Sequence, residues 1–303
     1  MSGWPEEGLA DDIRPRLFEA WSEGRTVALS TIVAADGGPR PVGSQMLIDG
    51  GRTWGFLSGG CIEDDVALNA AAVIEDGKSQ LLVYGRGSPF VDMRLPCGGR
   101  LEVLVERIEP GDEAVAALRR CWLERVPARW RSDGRIRSCE AGEAIGDGDI
   151  QFDPPWRLRV IGDDPFALAI AAMGQTVGLD TRLLAPFADA EQAPFGLAVD
   201  RRGLAEALGD EPPDAFTAMV LATHDVDLDE EALGRLLQSK AGYIGVLGSR
   251  RRIAERTARL KGAGFSVDEI ARIRMPLGLP IRARSPWEVA VSAIGEIIAT
   301  RRS

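Results

Sequence analysis

The second half of the chain alternates apolar runs with helical segments, and this alternation limits the fold more than any other feature of the sequence. Apolar runs such as "WRLRVIG", "TRLLAP", "DAFTAMVLAT" and "GYIGVLG" lie among segments with helical periodicity. Strands and helices that alternate in this way form a mostly parallel sheet with helices on both faces. We therefore predict a C-terminal, doubly wound, Rossmann-like α/β domain over residues 157–303.

The first half has a different pattern, in which one helix is followed by short β-rich runs. These runs are "TVALSTIVA", "GSQMLIDGGRTWGFLSG", "SQLLVYG" and "GRLEVLVERI", and Asp-Gly and Gly-Gly turn signals separate several of them. Helical spacing predicts a helix over residues 62–75 that begins directly after Cys61. We predict a mixed α+β domain over residues 1–140, with a linker rich in Gly, Asp and Pro over residues 141–156.

Composition excludes several classes of function. The chain has 303 residues and a formal net charge of −10, which argues against general affinity for nucleic acid. No apolar run is long enough to cross a membrane, and the acidic N-terminus does not resemble a signal peptide. The four cysteines form no Cys-x-x-Cys pair of the kind that binds structural zinc. We expect a cytoplasmic protein with free thiols and no nucleic-acid or membrane partner.

The stretch "VIGDDPF" stands where a dinucleotide-binding domain carries its glycine-rich fingerprint. Gly162 is retained, but Asp164 replaces the second glycine, and Asp163 adds another negative charge. The next predicted strand ends in "LLAP" and lacks the acidic residue that would hold ribose hydroxyls. We therefore expect no binding of NAD(P).

The stretch "GYIGVLGSRRR" is a better candidate for an anion site. Gly248 would make the turn after a strand, Ser249 would cap the next helix, and Arg250 and Arg251 would lie in its first turn. Backbone N–H groups and guanidinium groups could then converge on a phosphate. The alternative is an ordinary capped helix whose arginines are solvated or paired with Glu255.

His224 is the only histidine in the chain and directly follows a predicted strand. It would therefore lie at the carboxyl edge of the parallel sheet, where open α/β folds bind their ligands. The alternative is that Thr223, His224 and Asp225 only form a turn and cap the next helix.

Two cysteines are flanked by glycine pairs, in "GGCIE" and "LPCGGR". Tight turns would display Cys61 and Cys97, and accessible thiols can bind a soft metal or carry sulfur. The alternative is that both are small buried hydrophobic residues, a role that also suits Cys121 and Cys139.

Five motifs together resemble the XdhC family of xanthine dehydrogenase accessory proteins. They are "GGCIEDD", "LPCGGRLEVLVE", "THDVDLDEEALGRLL", "YIGVLGSRRR" and "PLGLPIRARSPWEVAVSAIGEII". The resemblance implies an XdhC-type N-terminal domain followed by a Rossmann-like domain. It also implies a chaperone that holds molybdenum cofactor (molybdopterin), presents it for sulfuration by a cysteine desulfurase, and delivers it to a molybdenum hydroxylase client.

On this resemblance, Cys61 and Cys97 become candidates for sulfur or molybdenum handling, with Cys61 as a candidate metal ligand. The candidate cofactor-binding residues are Gly60, Cys61, Glu63, Cys97, Gly98, His224, Gly248, Ser249, Arg250 and Arg251. A homodimer is a further expectation. Two competing functions remain, an NAD(P)-dependent oxidoreductase and a cofactor-free scaffold that bridges the client and the desulfurase.

Overall fold

The computed structural model divides the chain into two compact units, Met1–Pro154 and Pro155–Ser303. It describes residues 11–38, 40–88, 95, 98–146, 148–188, 193–224, 226–248 and 250–301, with side chains at all of these positions except 226, 227, 250 and 251. Each unit has its own sheet and its own hydrophobic clusters.

The first unit is built around a five-stranded sheet in the order β3-β2-β1-β5-β4. All neighbouring strands pair antiparallel. The strands are β1 (Val27–Asp36), β2 (Gln45–Asp49), β3 (Arg52–Gly55), β4 (Gln80–Gly85) and β5 (Arg100–Ile108). The mixed α+β character predicted for this half is confirmed.

Helices cover both faces of this sheet. Residues of α2 (Glu63–Asp76) form one apolar cluster with one face, while α1 (Arg14–Ser22) and α3 (Glu113–Glu124) contribute to the cluster on the other. A smaller three-stranded sheet adds to the second cluster through β6 (Ala128–Ser132), β7 (Arg137–Ala141) and β8 (Ile150–Phe152).

The segment 141–156, predicted as a linker, contains more structure than expected. Strand β8 lies inside it and pairs antiparallel with β6, in the register Ala128↔Phe152 to Trp130↔Ile150. Phe152 also packs edge-on against the buried Trp130. These contacts tie residues up to 154 to the first unit, so the division falls at the end of the predicted linker.

The second unit contains a six-stranded sheet in the order β11-β10-β9-β12-β13-β14, with all neighbouring strands parallel. Counted from β9, this is the 3-2-1-4-5-6 order of the Rossmann fold. The strands are β9 (Arg157–Ile161), β10 (Asp180–Leu184), β11 (Ala198–Asp200), β12 (Thr217–Leu221), β13 (Tyr243–Val246) and β14 (Ile273–Arg274). The predicted doubly wound sheet is confirmed, and its strand order reverses between β9 and β12.

Helices lie on both faces of this parallel sheet. On one face α4 (Pro165–Thr176) packs with α9 (Pro286–Thr300). On the other lie α5 (Leu204–Asp210), α6 (Val226–Gln238), α7 (Arg250–Gly262) and α8 (Val267–Ala271). A buried ion pair between Arg256 and Asp229, with Nη2 and Oδ2 2.8 Å apart, joins α7 to α6.

The last helix has the start that its sequence predicts. Ser285 caps α9 by accepting the Glu288 N–H, and the Glu288 carboxylate accepts the Ser285 N–H at 3.0 Å. Among the described helices, none combines the length and apolar character that a membrane span requires.

Candidate functional site

The loop that carries Cys61 lies at a defined edge of the five-stranded sheet. Because β1 is antiparallel to β2 and β5, and these are antiparallel to β3 and β4, strands β1, β3 and β4 all end at the same edge. The Cys61 loop follows β3, and the segment containing Cys97 follows β4. The topology therefore brings the connections that carry both glycine-flanked cysteines to one edge.

One carboxylate organises the Cys61 loop. Glu63, the first residue of α2, turns back over the loop and accepts five backbone N–H groups at 2.7–3.1 Å, from Leu57, Ser58, Gly59, Gly60 and Ile62. It also accepts the Ser58 hydroxyl at 2.7 Å. Its carboxylate oxygens are therefore engaged within the loop, which makes Glu63 a residue that positions the loop.

Electrostatics agree with this geometry. Partial burial alone would raise the pKa of the Glu63 carboxyl, but hydrogen bonds from Ser58, Leu57 and Ile62 outweigh it and lower the pKa from 4.5 to about 2. Glu63 is consequently ionised throughout the neutral range. Its negative charge is matched by backbone dipoles, as in an anion-binding nest, except that the anion belongs to the protein.

The loop displays Cys61. Gly59 and Gly60 have φ angles of +94° and +108°, a conformation that side-chain-bearing residues rarely adopt, and this curvature lets the backbone N–H groups converge on Glu63. The Cys61 N–H donates to Ser58 Oγ at 2.9 Å, while the residue itself is exposed. The thiol is thus presented on a backbone held at both ends by hydrogen bonds.

Apolar residues anchor this loop and the neighbouring segment in one cluster. Leu57 and Ile62, on either side of the Cys61 turn, are buried together with Leu95 under α2. Gly98 is exposed, and its N–H donates to the Leu95 carbonyl at 2.9 Å. Cys97 lies outside the described residues, so its role stays a prediction.

Sequence reasoning missed two residues at this edge. Ser58 has no motif of its own, although Glu63 five positions later is a partner that the spacing hints at. Arg40, on the loop between β1 and β2, places its guanidinium carbon 4.2 Å from the centre of the Phe56 ring and pairs with Asp11 at 3.0 Å. It therefore puts a positive charge next to the start of the Cys61 loop.

The other two described cysteines have different surroundings. Cys121, on α3, is buried, and its thiol is in hydrogen-bonding contact with the thiol of Cys139 on β7. Burial and the neighbouring Cys121 raise the pKa of the Cys139 thiol to about 12. Both thiols are therefore poor nucleophiles near neutral pH, as expected for packing residues.

The switch point of the parallel sheet holds Asp164 and His224. Gly162 has a φ of +138°, and a Cβ there would lie 2.1 Å from the Ala222 carbonyl oxygen, so glycine allows the ends of β9 and β12 to approach closely. Asp164 caps α4 by accepting the Ala167 N–H at 2.8 Å. His224 follows β12, and its Nε2 lies 3.2 Å from Asp164 Oδ2.

The predicted phosphate loop is only partly described. Gly248 follows β13, and a Cβ at this position would be 3.5 Å from Nη1 of the buried Arg256. Helix α7 begins at Arg250 as predicted, so the backbone of Arg250 and Arg251 forms its first turn. Ser249 and the side chains of the two arginines lie outside the described part, and the predicted anion site stays a prediction.

Within the described residues, no group of three or more His, Cys, Asp or Glu side chains is arranged to hold a metal ion. The metal role that the sequence suggests for Cys61 stays a prediction.

Two family models match the chain. Residues 158–297 match the XdhC Rossmann domain, and residues 20–85 match the XdhC and CoxI family. The two matches correspond to the parallel-sheet unit and to the part of the first unit that includes the Cys61 loop.

Individual relatives extend over nearly the whole chain. The molybdenum cofactor insertion chaperone PaoD of Escherichia coli (strain K12) is 30% identical over 310 residues, covering 98% of this chain and 92% of PaoD. A probable xanthine dehydrogenase subunit of Bacillus subtilis (strain 168) is 27% identical over 330 residues, covering 90% and 93%. The crystal structure of a Bacillus halodurans protein described as a xanthine dehydrogenase superposes with a TM-score of 0.71 at 22% identity, covering 95% and 96%, and thus shares the fold.

Replacing Glu63 with glutamine tests the internal anion. The amide keeps the size of the side chain but turns N–H donors towards N–H donors, so we expect a loss of about 1 to 2 kcal/mol in the free energy of unfolding at pH 7. Because the pKa of Glu63 is lowered in the folded state, its contribution is fully present above pH 4.5 and disappears as the pH falls towards 2. Urea unfolding of both proteins should therefore show a difference that shrinks below pH 4.5. The exposed Asp64→Asn is the matched control, and an equal effect of the two changes at pH 7 would contradict the role given to Glu63.

Proposed function

The chain belongs to the XdhC and CoxI family, and we propose that it is a chaperone that binds molybdenum cofactor as its cargo. In this proposal it presents the cofactor for exchange of an oxo ligand for a sulfido ligand and then delivers it to a xanthine dehydrogenase-type hydroxylase. The relationship to a molybdenum cofactor insertion chaperone over 98% of the chain supports the class of cargo.

The presentation of Cys61 is the structural observation that carries the proposal. An exposed thiol is a soft ligand that suits a molybdenum centre and is also a group that can accept sulfur. The hydrogen bonds of Glu63 and Ser58 fix the backbone around it, so little conformational entropy is lost when the thiol engages the cargo. The same edge of the sheet carries the connection that contains Cys97, which we propose as a second thiol of this site.

The phosphate of the cofactor is assigned to the start of α7. Backbone N–H groups at a helix N-terminus attract anions, and Arg250 and Arg251 add positive charge in the same turn. Glu255, which the sequence offered as a partner for these arginines, lies 3.7 Å from Arg259 instead. This pairing favours arginines that are available to an anionic ligand.

Asp164 argues against the competing oxidoreductase function. Its carboxylate occupies the N-terminus of α4, the position at which Rossmann domains bind a pyrophosphate. A pyrophosphate there would meet a negative charge and would have to displace the capping hydrogen bond. We therefore propose that the parallel-sheet unit does not use NAD(P).

The proposed partners are a hydroxylase client, which takes up the loaded cofactor, and a cysteine desulfurase, which supplies the sulfur. A homodimer is a further proposal. A scaffold that only bridges these enzymes would bind no cofactor, and this difference separates the two functions.

Purification from a host that synthesises molybdopterin tests the proposed function. We expect the full-length protein to retain molybdenum and a fluorescent pterin derivative in comparable amounts, measured by metal analysis and by fluorescence after oxidation. Protein that carries neither, although the host accumulates the cofactor, would favour the scaffold.

The variant Cys61→Ser should lose retained cofactor or the ability to activate a client hydroxylase, while its thermal midpoint is unchanged. Serine is nearly isosteric but is a poor ligand for soft metals and cannot carry a persulfide. Cys121→Ala is the matched control at a buried thiol, where we expect some loss of stability but full retention of cofactor. Normal cofactor retention and client activation by Cys61→Ser would remove the proposed role of this thiol.

Replacing Arg250 and Arg251 with alanine should weaken cofactor binding by about 1 to 3 kcal/mol for each charge-assisted contact that is lost. Arg252→Ala, which changes the exposed residue directly after them, is the control for nonspecific attraction. The measurement is the dissociation constant for molybdopterin, and an affinity unchanged in the double variant would contradict the phosphate site.

Isothermal titration with NAD⁺ and NADP⁺ should show no binding tighter than about millimolar, because the cap at Asp164 fills the pyrophosphate position. A dissociation constant in the micromolar range for either nucleotide would restore the oxidoreductase as the leading function.

A further inference from the structure

The turn between β9 and α4 contains a carboxylate oxygen that its surroundings leave without a donor. Asp164 Oδ1 accepts the Ala167 N–H, whereas Oδ2 is buried and accepts no hydrogen bond from the described part of the chain. Burying a carboxylate oxygen without a partner is unfavourable, and native proteins generally avoid it. The oxygen therefore needs a donor from outside this set of contacts.

His224 is the neighbour of this oxygen and is easily moved. Its Nε2 is within ion-pair distance, 3.2 Å, but not in hydrogen-bonding geometry, and its side chain is 80% exposed whereas that of Asp164 is 17% exposed. The imidazole covers Oδ2 from the loop after β12, the strand adjacent to β9. A ligand that enters this crevice could displace the imidazole and reach the carboxylate.

The chemistry of the crevice selects the class of ligand. An anionic group is disfavoured there, since Asp164 is joined by the exposed Asp163. An ionised carboxylate only accepts hydrogen bonds, so the matching group is a neutral or cationic N–H donor. A heteroaromatic ring with an amino group next to a ring N–H offers two such donors in one plane.

We propose that Asp164 Oδ2 receives the amino-bearing edge of an aminopyrimidinone ring, the ring system present in a pterin. This inference rests on the proposed function, because the pterin belongs to the proposed cargo, and it names which part of that cargo the switch point recognises. His224 then lies beside the ring as a displaced cover.

Two pteridines that differ at one position test the assignment on the full-length protein. Isothermal titration should give at least about ten-fold tighter binding of 2-amino-4-oxopteridine than of 2,4-dioxopteridine, since a site built to hydrogen-bond a donor rejects the analogue that lacks it. In Asp164→Ser this preference should disappear, although serine still caps α4. In Asp164→Asn, whose amide can donate, the preference should shift towards the dioxo compound.

Asp163→Ser is the matched control, because it removes the same charge from the adjacent exposed position and should keep the preference. Equal affinities in the unmodified protein, no binding of either pteridine, a preference that survives in Asp164→Ser, or its equal loss in Asp163→Ser would each overturn the assignment. Copurification of molybdenum and pterin with the unmodified protein is measured separately. If they copurify while the preference is absent, only the ring-edge assignment fails, whereas failure to copurify counts against the proposed function.

Discussion

A carboxylate supplied by the protein itself fixes the conformation around each candidate site. In the first unit Glu63 gathers the N–H groups of the cysteine loop, and in the second Asp164 caps α4 at the switch point. N–H groups that converge in a turn or at a helix start attract anions, so in each case the protein has occupied a position that a ligand anion could otherwise take. The consequence differs between the units, because the first carboxylate is fully used and the second has an oxygen to spare.

This difference assigns separate tasks to the two sites. With its negative charge matched by backbone donors, Glu63 supports the display of Cys61 and has little capacity to bind a ligand itself. Asp164 excludes phosphate from the usual pyrophosphate position while keeping an acceptor available. In a chain with a net charge of −10, an anionic cofactor then needs a local positive region, and the arginines at the start of α7 supply it in the sequence.

Periodic and local signals were sufficient to predict much of the fold. Apolar spacing located α2 and the alternating elements of the parallel sheet, and the Ser285 and Glu288 pair identified the start of α9 because a capping box depends only on neighbouring residues. Strand β8 was missed because it has only three residues, and its partner β6 lies about twenty positions earlier in the chain. The inward turn of Glu63 also could not be predicted, since it requires the positive φ angles of Gly59 and Gly60 in three dimensions.

A single soft contact at Cys61 suits a protein that has to release its cargo. A centre held by several protein ligands is released slowly, because affinity differences between related complexes arise mostly from dissociation rates. One thiol contact, together with hydrogen bonds and phosphate contacts to the organic part of a cofactor, distributes the binding free energy over interactions that are weak individually. Each can then be exchanged for an equivalent contact in a receiving enzyme without breaking all of them at once. Rigidity of the loop around Cys61 matters in such a scheme, because a preorganised thiol gives sufficient affinity from few contacts.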